Sequence, residues 1–225
     1  ATGKTLPAFQ GFLTTQGVTG FGLGQTALYH TSDGGRTWTK RGVLPIPPSA
    51  PPAASSAIPR FQASGGAVQA PSAHDVYVST CNGQMISNSG CATTLFASHD
   101  GGRSFQVVQD RNCTQQMTVH MTSPTEGVLL DTGYTMCEGT PWSNVIYKTQ
   151  NGFSVLTRTA VLPIDVSALS FSSTEDGWLA GFPLSCGNPD GPCPLAVAVT
   201  TNGGSSWTFL PEPSASPIAH AASAS

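Results

Sequence analysis

The side chains able to do chemistry are few: nine Lys and Arg, twelve Asp and Glu, five His and six Cys in 225 residues. Cys81, Cys91, Cys113, Cys137, Cys186 and Cys193 make an even set with no Cys-x-x-Cys pair. A tetrahedral zinc site usually shows such close pairs with His partners. His30, His74, His99, His120 and His220 are scattered, with no His-x-His and no His-Glu-x-x-His. No metal and no cofactor is therefore expected, and the cysteines are read as disulfides, which need an oxidising compartment. A chain that opens at Ala1 without Met fits a signal peptide already removed, so a secreted or cell-surface protein is expected.

Acid chemistry needs pairing. A two-carboxylate hydrolase holds its acids on facing loops about 5–10 Å apart. Glu138 and Asp190 are the pair whose loops could face each other, although both equally suit turn caps or solvated positions. Glu126, Glu175 and Asp176 fall in turns of the opposite side. No Ser–His–Asp or Cys–His arrangement has supporting context, so no catalytic residue is expected.

Composition limits what can position these groups. Gly 25 and Pro 18, with 39% hydrophobic and only 9% charged residues, suit turn-rich β-structure better than helices. The scarcity of Lys and Arg excludes a basic nucleic-acid surface. No apolar run reaches the roughly 20 residues that span a bilayer, so no membrane insertion is expected.

An internal repeat carries most of the information. Thr31-Ser32-Asp33-Gly34-Gly35-Arg36-Thr37-Trp38 aligns with Ser98 to Phe105, Thr149 to Leu156 and Thr200 to Trp207. The shared pattern is Ser/Thr-x-Asp/Asn-x-Gly-x-Ser/Thr-aromatic, degraded in the third copy. Each copy sits between two strand-like runs and so reads as a hairpin turn. Asp or Asn there accepts from backbone N–H groups, and glycine takes φ > 0 without steric cost. The aromatic packs inward between neighbouring sheets. The structural set is Asp33, Gly35, Trp38, Asp100, Gly102, Phe105, Asn151, Asn202, Gly204 and Trp207. A calcium or catalytic role is disfavoured, because Asn replaces Asp in two copies.

Upstream of each copy lies a second repeating register, at Gly17–Phe21, Asp75–Val78, Gly127–Leu130 and Gly177–Gly181. Every unit reads as strand a, turn, strand b, loop, strand c, hairpin, strand d, which is a propeller blade written four times. The Glu175-Asp176-Gly177-Trp178 turn followed by Asn202-Gly203-Gly204-x-x-Trp207 resembles the Asp-box (BNR repeat) β-propellers related to sialidases, sortilins and photosystem II assembly factors. The resemblance covers Leu6 to Pro211. It implies an all-β Asp-box propeller with four four-stranded blades, either four-bladed, open, or completed by another chain. The propeller is expected over residues 1–212: blade one about 6–44, a Pro-rich insertion 45–60, blade two about 61–111, blade three about 112–163 and blade four about 164–212. A low-complexity tail follows over 213–225. A sialidase of this kind would need an arginine triad, a Tyr–Glu pair and an acid. Of the six arginines, Arg36 and Arg103 belong to the peripheral hairpins, and Tyr134 with Glu138 is the nearest approach to such a pair.

Hairpin-to-hairpin spacings of 67, 51 and 51 residues place the insertion between blades one and two. In a propeller, b–c loops and blade connections share one face, and a–b turns and hairpins share the other. All six cysteines fall on the b–c face, which predicts the pairs Cys81–Cys91, Cys113–Cys137 and Cys186–Cys193, each contributing about 3 kcal/mol if unstrained. That braced face is the expected binding surface, with Met85, Tyr134, Met136, Trp142 and Phe182 as candidates. The leading expectation is a secreted, non-enzymatic structural module that assembles with its own copies in a surface layer or filament. The alternatives are a carbohydrate- or protein-binding propeller using the braced face, and a sialidase-like glycosidase.

Overall fold

The computed structural model describes residues 11–15, 18–24, 26–47, 63–82, 91–133, 143–184 and 193–211. Every regular element in them is a β-strand, and all pairings are antiparallel. Blade one is a four-stranded meander of β1 (Gly11–Thr15), β2 (Thr19–Leu23), β3 (Ala27–Thr31) and β4 (Thr39–Val43). Blade four repeats it with β12 (Ile164–Phe171), β13 (Gly177–Pro183), β14 (Ala196–Thr200) and β15 (Thr208–Phe209).

Blades two and three are joined. β5 (Ala63–Gln69), β6 (Val76–Asn82) and β7 (Cys91–Ser98) precede β8 (Gln106–Met121), a 16-residue strand, and β9 (Gly127–Gly133), β10 (Ser143–Thr149) and β11 (Thr157–Leu162) follow it. The first half of β8 pairs with β7 and its second half with β9, so seven strands form one ladder. The expected boundary at residue 111 therefore falls inside a continuous strand. Nothing in Asp110–Thr114 breaks extended backbone, since neither Gly nor Pro occurs there. The next crossing holds Pro163, and there the chain passes from β11 to β12 with a break in the ladder.

Alternation along each strand sends successive side chains to opposite neighbours. Three separate apolar clusters result. Phe21, Leu23 and Leu28 of blade one meet Val76, Val78 and Phe96 of blade two. Tyr77 and Leu95 of blade two meet Met117, Val119, Leu129 and Phe153 of blade three. Val128, Leu130 and Ile146 of blade three meet Ile164, Phe171, Leu179 and Ala198 of blade four. The core thus lies between blades, as stacked sheets require.

Candidate functional site

The four polar hairpins share one geometry. In the first, the Thr31 hydroxyl donates to Asp33 Oδ1 at 2.7 Å and accepts from Gly35 N–H at 2.9 Å. Thr37 closes the turn through N–H to Oδ1 and Oγ1–H to Oδ2 of Asp33, at 2.9 and 2.6 Å. Ser98, Asp100, Gly102 and Ser104 repeat every one of these contacts. Asn151 and Asn202 accept from Val155 N–H and Ser206 N–H with the same oxygen. The Thr37 donors hold Asp33 down at about 2, and the Ser104 donors hold Asp100 well below the usual carboxylate range. Carboxylates engaged in this way position a turn. Phe105, Leu156 and Trp207 pack from their hairpins against the preceding blade, whereas Trp38 donates its indole N–H to Gly35 O at 3.0 Å.

Two further clusters of polar side chains are structural. Ser72 donates to Asp75 Oδ2 at 2.6 Å, and His99 Nδ1 lies 2.8 Å from Asp75 Oδ1. The carboxylate bridges the other two groups here. A nucleophilic triad needs the imidazole in that place, so Ser72 has no base. Arg111 of blade two reaches Asp131 Oδ2 at 2.5 Å and lies over the Tyr147 ring at 4.7 Å in blade three. Burial pushes the Asp131 carboxyl up, against the pull of the Arg111 guanidinium. Its Oδ1 is buried without a hydrogen-bond partner, and at 5% exposure no ligand reaches it. This pair staples blades two and three.

Among the described residues, one accessible concavity is a cleft of about 340 Å³ between the hairpins of blades three and four, lined by Lys148, Gln150, Asn151, Val155, Thr157, Thr159 and Ser205. Its lining combines amides, hydroxyls and the Lys148 ammonium group with apolar surface that includes Val155. β10 delivers Lys148, and the third hairpin delivers Gln150 and Asn151. Lys148 Nζ points across to Asn202 O at 3.5 Å, and a Cβ at Gly203 would collide with it, so the bare glycine in the fourth hairpin makes room for the ammonium group. Lys148 and Gln150 also line an adjoining smaller cavity, with Glu126 and Glu175 on its rim.

Of the residues singled out in the sequence, Met85, Tyr134, Met136, Trp142, Glu138 and Asp190 lie outside the described residues. Phe182 is on β13 and 41% exposed. Cys81 and Cys193 are each disulfide-bonded, and the other four cysteines lie where no side chain is described. The cleft was missed because the polar run 148–159 becomes a wall only when Ser205 of blade four closes it from the other side. The legible signal was the pairing of acidic a–b turns with a lysine two residues before a hairpin glutamine. Among the described residues no helix is long and apolar enough to cross a membrane.

No family model and no curated protein matches the chain. Solved structures do. The α-L-arabinofuranosidase of Fusarium graminearum is 11% identical, with 85% of this chain and 62% of that one covered at a TM-score of 0.54. The exo-β-1,3-galactanase of Clostridium thermocellum is 13% identical, with 92% and 48% covered at 0.57. A putative exo-β-1,3-galactanase of Bifidobacterium bifidum is 10% identical, with 88% and 68% covered at 0.51. The chain thus spans about 60% of the arabinofuranosidase and about half of the first galactanase. These neighbours, an arabinofuranosidase and two galactanases, overturn the expectation of a non-enzymatic structural module that assembles into a layer or filament. At such identity the likeness fixes architecture: the chain is an all-β propeller of four four-stranded blades.

Proposed function

We propose that this propeller is a carbohydrate-active protein that holds a neutral glycan in the cleft between the hairpins of blades three and four. The observation that carries the reading is the lining. A recess lined by Gln150, Asn151, Thr157, Thr159 and Ser205 offers donors and acceptors to vicinal hydroxyls beside apolar surface on which a sugar ring can rest. Lys148 adds one cationic donor, and Glu126 and Glu175, which line a second, smaller cavity that shares Lys148 and Gln150, are the carboxylates proposed as the acid and base or nucleophile of glycoside hydrolysis. The solved propellers named above are an arabinofuranosidase and galactanases, so arabinosides and galactans are the first sugars to try. The half-cystines Cys81 and Cys193 support an oxidising, extracellular setting. The pairs Cys81–Cys91, Cys113–Cys137 and Cys186–Cys193 remain the proposed bridges, and the polar hairpins remain proposed Asp-boxes.

The test is calorimetric titration with arabino- and galacto-oligosaccharides, alongside an assay for released reducing sugar. Gln150→Ala should weaken binding about tenfold, the loss expected for one hydrogen-bonding side chain. Glu126→Gln or Glu175→Gln should abolish sugar release while leaving binding in place. Loss of binding in Trp142→Ala with none in Gln150→Ala would move the site to the loop face and overturn the cleft. Absence of binding to any glycan would overturn the carbohydrate reading itself.

A further inference from the structure

Each polar hairpin carries Asp or Asn followed by glycine: Asp33-Gly34, Asp100-Gly101, Asn151-Gly152 and Asn202-Gly203. Such a pair is chemically labile, because glycine has no side chain to keep its backbone nitrogen away from the preceding side-chain carbonyl carbon. The fold holds that nitrogen in every copy. Gly34 N–H donates to Val18 O at 2.7 Å, Gly101 N–H to His74 O at 2.8 Å, Gly152 N–H to Thr125 O at 2.8 Å and Gly203 N–H to Glu175 O at 2.7 Å. Each acceptor lies in the a–b turn of the same blade, so one bond per blade ties the two turns of that blade together.

The hairpins differ in the group that the nitrogen would attack. Asp33 and Asp100, held well below the usual carboxylate range, are ionised at neutral pH, and an anionic carboxylate repels a nucleophile. Asn151 and Asn202 offer neutral carboxamides instead, each polarised by a backbone N–H at 2.9 Å, from Val155 and from Ser206. Both asparagines are exposed, so water reaches them, while Gly152 and Gly203 behind them are buried. In hairpins three and four the glycine bond therefore stands between a reactive pair and its chemistry.

We infer that Asn151 and Asn202 are sites of spontaneous deamidation, gated by local opening of the bond between each hairpin and its own a–b turn. Once the bond opens, the glycine nitrogen gives up its proton and attacks the asparagine Cγ. The N–Cγ bond forms, the Cγ–Nδ2 bond breaks, and the amide nitrogen leaves as ammonia. Water then opens the resulting succinimide, at Cγ to give Asp or at the main-chain carbonyl to give isoaspartate. One water is consumed and one ammonia released, with no oxidation or reduction. Asp at either position accepts the turn bonds that Asp33 and Asp100 already accept. Isoaspartate adds a methylene to the backbone and breaks the turn. At Asn151 either product places a negative charge in the cleft that Lys148 also lines.

The a–b turns offer separate handles on the two gates. Ser123 Oγ accepts from Glu126 N–H at 2.9 Å in blade three, and Ser173 Oγ accepts from Asp176 N–H at 2.8 Å in blade four. The Tyr77 hydroxyl, bonded to Pro124 O, covers Gly152, where a Cβ would come within 2.6 Å of it. Peptide mass mapping of protein held at mildly alkaline pH, with Asp and isoaspartate resolved by chromatography, tests the gate. Both sites should deamidate at least about tenfold more slowly in the folded parent than in urea. Ser123→Ala should speed Asn151 about fivefold, the effect of one hydrogen bond on an opening equilibrium, and leave Asn202 at the parental rate. Ser173→Ala should do the reverse. Tyr77→Phe, with its a–b serine intact, should act like Ser123→Ala, and in urea every variant should match the parent. Equal rates in the folded and unfolded parent would overturn the inference. So would serine variants that leave both sites unchanged, or that speed both alike, since control would then lie in global unfolding.

Discussion

At the residue scale, Phe153 shows how a degraded repeat is compensated. It sits where the other hairpins carry Gly35, Gly102 and Gly204, with φ at 67°, a left-handed conformation that costs a bulky side chain about 1–3 kcal/mol. The aromatic position of that hairpin holds Leu156 instead. Phe153 restores the lost ring from the glycine position: it is fully buried and meets Tyr77 edge-on, with centroids 5.4 Å apart. Truncating a buried Phe costs about 3–5 kcal/mol, more than the backbone relief returns. Phe153→Gly should therefore destabilise the protein by about 2 kcal/mol in chemical denaturation, although it restores the repeat. Equal or greater stability in the variant would show that the strain outweighs the packing.

At the element scale, the blades are tied by a small number of polar bridges across each apolar layer. The Tyr77 hydroxyl donates to Pro124 O at 2.8 Å from blade two to blade three, and burial pushes its pKa up to about 12. Asn144 donates to Ile164 O from β10 to β12. Tyr77→Phe leaves the ring packing intact but strands the Pro124 carbonyl, so a loss of about 1 kcal/mol is expected. For a chain this size that is a melting shift of about 2–4 °C in calorimetry; an unchanged midpoint would mean that water replaces the bond. The strands and hairpins were legible in the sequence because alternation and turn chemistry are local. The fusion through β8 was not, since a blade boundary without Gly or Pro looks like any other extended run. The Lys148 cleft was hidden for a related reason. Six of its seven lining residues lie within 148–159, and only Ser205 comes from blade four to close the recess, so nothing in blade three alone marks Gln150 or Thr159 as different from other polar surface.

At the scale of the whole molecule, so few charges leave pH control of stability to identifiable groups. His120 on β8 lies between blades three and four, with Phe171 N–H 3.2 Å and Phe171 O 3.0 Å from its Nε2. Burial lowers its pKa below the ordinary imidazole value, and burial with the nearby Arg41 charge does the same to His30. For a lowered base the unfolded chain binds the proton first, so stability falls as pH drops below about 6.5. Asp33 and Asp100 are lowered acids. Their contribution is complete above about pH 4 and disappears as pH descends toward 2. Asp131, raised by burial, works in the opposite direction in the intervening range and partly offsets the histidines. The melting temperature should therefore fall in two separated steps on acidification, one near neutrality and one below pH 4. His120→Gln should diminish the first and leave the second. Asp33→Asn with Asp100→Asn should flatten the second alone, because hairpins three and four already form the same turn with Asn151 and Asn202, which do not titrate. A single step, or a low-pH limb unchanged in the double variant, would place acid sensitivity elsewhere than in the hairpins.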